Sequence, residues 1–465
     1  MSSTTTRLDA ATQLKRRLAN PYASTLGERV HLPGEPGYDA ARLAWNLAAD
    51  LRPAAVARPH SAEEVALVVG AALDAGLRVA PQCTGHGAGP LAQQDLGDVV
   101  LVKLDELTGV TVDPITMRAR VLGGTLWRDV VAEAEPYGLT AAHGSAGDVA
   151  VAGFMLGGGV SFYGRKHGIS ANGVRSIELV TAAGRLVRAS ATENPELFWA
   201  ARGAGGNVGV VVALEIDLLP YATVYAGALL WPADDAPRVV RAWRDWTATA
   251  PDSVTTSLRI LSFPPLPELP PFLSGRRVVL VDGAVLGPDG AAEEVLAPLR
   301  SLSPELDLFD RMPVGALLGV HLDPPQPTPS VADHAILGPL DDAGVDAFVA
   351  VAEETGVFCA ELRQLGGRLA EPDPDGGVVS HIAGSYALLA LAMAPTPELV
   401  TAGLSATTSV CERMAPWALP TALPTFAERP MTGSGLGSGE ESDRLRRAVQ
   451  DADPRQVLVA NHPIR

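Results

Sequence analysis

The segment Gln82-Cys83-Thr84-Gly85-His86-Gly87-Ala88-Gly89 follows an apolar run from Val65 to Ala80 and constrains the fold more than any other stretch. Glycines flanking a turn take positive φ at little cost and leave no Cβ in the way, so backbone N–H groups can approach a pyrophosphate closely. A histidine held in that turn is presented to whatever the backbone cradles. A lone histidine in a tight loop usually satisfies only local hydrogen bonds, so the meaning of His86 depends on the rest of the chain.

At 465 residues the chain exceeds one compact core, and two or three domain-sized units are expected. With 47% apolar and 19% charged residues it is a globular sequence and not a disordered one. A net charge of −17 repels phosphate backbones and anionic lipid, which disfavours nucleic acid and membrane as partners and favours small molecules. Three widely spaced cysteines, Cys83, Cys359 and Cys411, form no disulfide framework and no metal-ligand spacing. Nothing between Met1 and Asn20 reads as a secretory signal. The longest apolar stretch, around Ile382 to Pro395, falls short of the ~20 residues that span a bilayer. The expectation is a soluble, cytoplasmic protein; its oligomeric state is not legible.

From Pro53 to about Leu219, β-branched runs alternate with helical patterns and glycine turns. Strands are expected at Val99 to Leu104, Arg118 to Leu122, Ser176 to Thr181 and Val208 to Asp217. Ser61-Ala62-Glu63-Glu64 has the form of a capping box opening a helix through Ala75. Between roughly Tyr221 and Leu423, proline-rich breaks separate strand-like segments, Arg277 to Val285 and Val378 to Leu391, from helices near Asp235 to Ala248, Gly290 to Leu302 and Asp342 to Thr355. A flexible loop from Gly433 to Glu441 precedes a last helix, Ser442 to Asp453.

Gly203-Ala204-Gly205-Gly206-Asn207-Val208-Gly209 has nearly the glycine density of a dinucleotide fingerprint, but a strand pattern follows it where a phosphate-facing helix is required. Gly157-Gly158-Gly159 removes side chains where a flat or anionic group could lie, or makes a close crossing. There is no nucleophile elbow, no His-Glu-x-x-His, no phosphate-binding Gly-Lys-Ser/Thr loop and no metal-ligand spacing among the nine histidines. The remaining economical chemistry is that of an organic cofactor.

The order of these segments resembles the vanillyl-alcohol oxidase and p-cresol methylhydroxylase flavoprotein superfamily, in particular its berberine bridge enzyme-like and 6-hydroxynicotine oxidase-like members. The resemblance runs through Leu32-Pro33-Gly34, Tyr38, Asp39, Trp45-Asn46, Arg52-Pro53, the His86 turn, Gly144 to Gly159 and Arg165 to Gly168. It continues through Asn194 to Ala200, Arg202-Gly203 and Asn207 to Val211, and returns at Asp453-Pro454 and Asn461 to Ile464. It implies an α+β fold: a two-subdomain FAD-binding domain of p-cresol methylhydroxylase type (residues 1–220, core from about 48), a substrate domain of antiparallel sheet with helices on one side (221–423), and a C-terminal return to the FAD domain (424–465).

By the same resemblance His86 carries an 8α-histidyl bond to FAD. Residues implied to surround the cofactor are Gln82, Cys83, Thr84, Gly85, Gly87 and Gly89; Gly144, Ser145, Val149 and Gly153; Gly157, Gly158 and Gly159; His167 and Gly168; and Asn207, Gly209, Val211 and Asn461. Bicovalent relatives add a cysteine where this chain has Ala146, so a single link is expected. Val149, near the face where oxygen reacts in relatives, suits an oxidase that passes electrons to O2 and yields H2O2.

Two departures bear on mechanism. An arginine common in the first loop is replaced by Gln82, and the tyrosine base expected before the last helix is absent from Pro424-Thr425-Phe426. Tyr163, His381 and Tyr386 are the candidate bases, the last two in a strand pattern expected to face the flavin; an amine substrate would need no strong base. The expected activity is hydride transfer from an alcohol, amine or similar carbon of a small apolar metabolite, with secondary metabolism as the expected setting. The alternatives are a flavin dehydrogenase or oxidative cyclase, and a flavin-containing binding protein without turnover.

Overall fold

The computed structural model describes residues 3–19, 25–267, 269–353, 356–431, 436 and 439–465. Its strands fall into three sheets.

The first sheet comprises β1 (Val30–His31), β2 (Ala55–Ala57), β3 (Arg78–Gln82) and β4 (Val99–Lys103), in the order β1-β2-β4-β3. β2, β4 and β3 run parallel. The run Val99-Val100-Leu101-Val102 is buried on both faces, as a parallel strand between covering layers should be. The helix Ala62–Asp74 crosses from β2 to β3, and Ser61 accepts a hydrogen bond from the Glu64 amide at its N-terminus. Glu64 does not close the expected box: its carboxylate accepts instead from Arg29 and the His60 amide. Along the outer edge of β3, Val79 donates to the Val457 carbonyl and accepts from the Val459 amide, so the C-terminal segment extends this sheet.

The second sheet, β5 (Val110–Asp113), β6 (Arg118–Leu122), β7 (Val174–Val180), β8 (Leu186–Ser190) and β9 (Val210–Asp217), is antiparallel in the order β5-β6-β9-β7-β8. Gly124 lets the two units meet. A Cβ there would lie 1.7 Å from the Leu104 carbonyl oxygen, a contact no other residue can make without moving the backbone.

The third and largest sheet contains β10 (Thr223–Pro232), β11 (Val254–Ser262), β12 (Arg277–Val285), β13 (Leu306–Asp307), β14 (Asp310–Pro313), β15 (Ser330–Leu337), β16 (Cys359–Gln364) and β17 (Tyr386–Met393). Its order is β13-β10-β12-β11-β16-β17-β15, with β14 also on β10, and every pairing is antiparallel. Helices Ala236–Thr247, Asp289–Arg300, Asp342–Val351 and Pro397–Arg413 cover one face over a core of Trp231, Trp243, Leu258, Val281, Phe348 and Leu388. The opposite face turns toward the first two sheets.

The stretch 378–385, expected as strand, is irregular. Gly377 lies so close to Arg202 that a Cβ would stand 2.3 Å from the Arg202 Cβ, and the Val378 and Val379 amides donate to the carbonyls of Trp199 and Arg202. The chain spends its hydrogen bonds on the second unit and joins the sheet only at Tyr386. Most of the loop expected from Gly433 to Glu441 lies outside the described residues; the last helix spans Glu440–Ala452.

Arg165 ties the large sheet to the glycine-rich unit. Its guanidinium donates to the carbonyls of Val254 (2.7 Å), Ala250 (3.0 Å) and Leu365. Arg165→Leu leaves those carbonyls without their donor in a buried place, at a cost of about 3 kcal/mol or more. In a thermal melt we expect a lower midpoint for the variant; an unchanged midpoint would show that Arg165 does not hold the interface.

Candidate functional site

His86 sits in the turn after β3, with Gly85 before it at φ +85°. Its ring stacks on Trp45, centroids 4.1 Å apart. Trp45 is itself placed by its amide, which donates to the Thr84 carbonyl, and by its indole N–H, which donates to Asp148 Oδ2 at 2.6 Å. The His86 Nδ1 lies 2.8 Å from Thr84 Oγ1, and Nε2 lies 3.5 Å from Asp148 Oδ1, long for a hydrogen bond. A carboxylate beside Nε2 favours the proton on that nitrogen, leaving the Nδ1 lone pair to accept from the Thr84 hydroxyl. Burial pushes the Asp148 carboxyl up, but His86 and Trp45 outweigh it and hold the group below its ordinary value.

Around His86 runs a strip of partly exposed backbone between buried cores: Thr84 to Gly87, Ser145 to Val149, Gly153, Gly157, and Gly205 with Gly206. A Cβ on Gly153 or Gly205 would meet nothing within 4 Å. Two buried nitrogens along the same region, His86 Nε2 and His143 Nε2, have no hydrogen-bond partner. This open, side-chain-poor strip ending at an oriented imidazole fits a long, flat, phosphate-bearing cofactor such as FAD.

The other expected cofactor residues divide. Gln82 is buried and its Oε1 accepts from Lys103 Nζ at 2.9 Å, and the Cys83 thiol donates to the Gly123 carbonyl at 3.0 Å, with burial pushing its pKa up to about 12. These side chains build the turn and face protein. Gly144 packs on Phe154, Gly158 and Gly159 take positive φ, and Gly89 abuts Glu428. Gly209 crosses closely over Leu179, and Val211 lies in the core of β9. Asn207 donates to the carbonyls of Ala204 and His462, and Asn461 donates to that of Gly87, so both asparagines fasten the C-terminal tail to the glycine turns. His167 lies 2.8 Å from the Tyr221 hydroxyl, next to Gly168 at φ +90°.

The candidate bases fare worse. Tyr386, expected to face the flavin, lies on the other side of the sheet: its hydroxyl is 2.8 Å from Thr247 Oγ1 and its ring packs on Trp243 under the helices. The parity of β17 dictates this, because Tyr386, Leu388 and Ala390 share the helix-facing side. Tyr163 is fully buried, stacked on Tyr221 and edge-on to His143, and burial raises its pKa further from any basic role. His381 falls in the irregular stretch before β17, Nδ1 3.1 Å from Ser380 Oγ, and does not line the cavity described next.

The opposite face of the large sheet carries what sequence reasoning missed. Register places Asp282, Ser257 and Arg363 in one cross-strand row and Leu280, Arg259 and Glu361 in the next. Arg259 pairs with Asp282 (2.6 Å), Asp282 with His321 Nδ1 (3.0 Å), and Glu361 with Arg363 (2.8 Å) and, at 3.7 Å, His321 Nε2. Burial and Arg259 push the His321 imidazole down, but Asp282, Asp323 and Glu361 outweigh them and raise its pKa to about 9. Beyond this row a small cavity opens between the units, lined by Ser145, Val160, Ser161, Phe162, Thr255, Ser257 and Arg363. The Arg363 guanidinium lies 5.2 Å over the ring of Phe426, from the turn that lacks the expected tyrosine. The neighbouring Thr425 hydroxyl donates to the Gly157 carbonyl at 2.8 Å, holding that turn against the triple glycine.

Residues 53–190 match the family described as FAD binding domain. These residues are an FAD-binding domain. The chain is 37% identical over 220 residues to (R)-6-hydroxynicotine oxidase of Paenarthrobacter nicotinovorans, an alignment covering 47% of each protein. The chain thus spans about half the length of the curated relatives it matches. The fold extends further: BBE-like 1 of Physcomitrella patens superposes with a TM-score of 0.84 at 21% identity, over 97% of this chain and 99% of that one. A glucooligosaccharide oxidase of Acremonium strictum, whose FAD is 6-S-cysteinyl and 8α-N1-histidyl, superposes with a TM-score of 0.79 at 21% identity, over 97% and 99%. Among the described residues no helix is long and apolar enough to cross a membrane.

The raised His321 pKa has a consequence for stability. A group with pKa about 9 folded and an ordinary 6.5 unfolded stabilises fully below pH 6.5, and that contribution is lost as pH rises through about 9. The difference in urea midpoint between the wild type and His321→Gln should therefore shrink between pH 6 and pH 10; a difference independent of pH would show that His321 is not held protonated.

Proposed function

We propose that the protein is an FAD-linked oxidoreductase, an oxidase of small molecules, with its cofactor attached through His86 alone. The observation that carries this reading is His86 itself: stacked by Trp45, flanked by Asp148 and Thr84, at the end of an open glycine strip inside an FAD-binding domain. Ala146 stands where bicovalent relatives carry cysteine and offers no second link. Bound FAD supplies a two-electron acceptor for a carbon-bound hydride and returns the electrons to O2 as H2O2.

The chain's own groups do the rest. Asp148 and Thr84 fix the imidazole tautomer, Thr425 holds the triple glycine in place, and the flavin-facing side of the large sheet closes over the cavity and excludes water. With Tyr386 behind the sheet and Tyr163 walled in, neither of these two tyrosines stands ready to take a proton from an alcohol. That favours a substrate such as an amine, whose nitrogen lone pair assists hydride loss without a strong base. We place the protein in the cytoplasm, on its cysteine usage, and in metabolite oxidation.

Anaerobic mixing with a panel of amines and alcohols should bleach the flavin absorbance with at least one amine, and admitting air should restore it within seconds with H2O2 released. Binding shifts without bleaching by any compound would favour a sequestering flavoprotein; bleaching with slow reoxidation would favour a dehydrogenase.

A further inference from the structure

The cavity between the units is lined by polar groups that the protein leaves unused. Thr255 and Ser257 are 4% and 1% exposed, yet neither hydroxyl makes a hydrogen bond among the described residues, and neither does that of Ser145. Arg363 reaches the same cavity. Its Nε donates to Glu361 Oε1 at 2.8 Å, and its Nη1 has no partner among the described residues. Its Nη2 lies 3.3 Å from His321 Nε2. The Nη1 side of the guanidinium therefore offers its N–H donors toward the cavity.

Arg259 and Arg363 are each paired with one carboxylate, Asp282 and Glu361, and His321 sits between those two carboxylates. Asp323 acts on the cluster from a half-exposed position but makes no ion pair with it among the described residues. Burying such a cluster costs several kcal/mol per ion and is weak evidence for a stabilising role, since apolar replacements often do as well. A guanidinium edge and two buried hydroxyls that converge on one cavity suit an anion, and a planar two-oxygen anion matches that edge best.

We propose that the substrate of this enzyme carries a carboxylate, held between the Arg363 guanidinium and the hydroxyls of Thr255 and Ser257. The assignment rests on the oxidoreductase reading and gives it a substrate class: a small molecule whose oxidisable carbon is presented to the flavin by an anionic anchor on the large sheet.

The test uses the purified, flavin-loaded protein, titrated with acetate, benzoate and phenylacetate and with the matching primary amides. Flavin absorbance and calorimetry are both read, on wild type, Arg363→Gln and Arg363→Lys, with folding checked by circular dichroism. At least one carboxylate should bind about tenfold or more tighter than its amide. That preference should vanish in Arg363→Gln and persist in part in Arg363→Lys. Amides binding as well as acids, no carboxylate binding at all, or a preference intact in Arg363→Gln would each overturn the proposal. If the cation instead serves the flavin's own pyrimidine edge, Arg363→Gln will shift the flavin spectrum in the absence of any titrant and leave acids and amides indistinguishable, which also overturns it. Calorimetry needs no flavin chemistry, so a protein that binds carboxylates but is never bleached would sink the oxidase reading and leave the anion site standing.

Discussion

The His86 ring is stacked on one face by Trp45 and bonded at Nδ1 to Thr84, with Asp148 3.5 Å from Nε2, and three segments of the glycine-rich unit converge to keep it there. Trp45 reaches the ring because its amide is bonded to the turn that carries the histidine. Asp148 reaches it because its segment is bonded to the start of the helix Trp127–Ala134, whose Trp127 and Arg128 amides donate to the Val149 and Gly147 carbonyls. Asn461 then closes the turn from the far end of the chain. Three segments distant in sequence, those of Trp45, Asp148 and Asn461, converge on the turn that carries this imidazole.

The large sheet has a different logic. Its strands are buried on both faces, so their sequences read as nearly continuous burial, and β11 carries the polar residues Thr255, Ser257 and Arg259 at alternate positions on one side. Toward the helices lie tryptophans and aliphatics; toward the flavin unit lie Thr255, Ser257, Arg259, Asp282, Glu361 and Arg363. A fold needs only apolar residues at such positions. Charged groups placed there come at a desolvation cost that packing alone does not require.

Much of this was legible beforehand. β6 and β12 occupy the segments read as strands, and four helices lie within a few residues of their expected places, because period and capping are local signals. The His86 turn was legible because glycine spacing encodes backbone geometry directly. The partners of His86 were not: Asp148 has no pattern of its own, and only the three-dimensional crossing makes it a neighbour. The charge cluster was hidden for the same reason, since Arg259, Asp282, His321, Glu361 and Arg363 are spread over about a hundred residues and meet only through register. Tyr386 failed on parity, because a one-residue choice decides which face of a strand a side chain takes. The stretch 378–385 failed because hydrogen bonds to another unit overrode its strand-like composition.

The central claim is that His86 is the point of covalent flavin attachment. The measurement that tests it most directly is the absorbance of the acid-precipitated protein, wild type beside His86→Ala. A yellow pellet for the wild type and a colourless one for the variant is the predicted result. Flavin left in the supernatant of the wild type, or a variant pellet as yellow as the wild type, would contradict it.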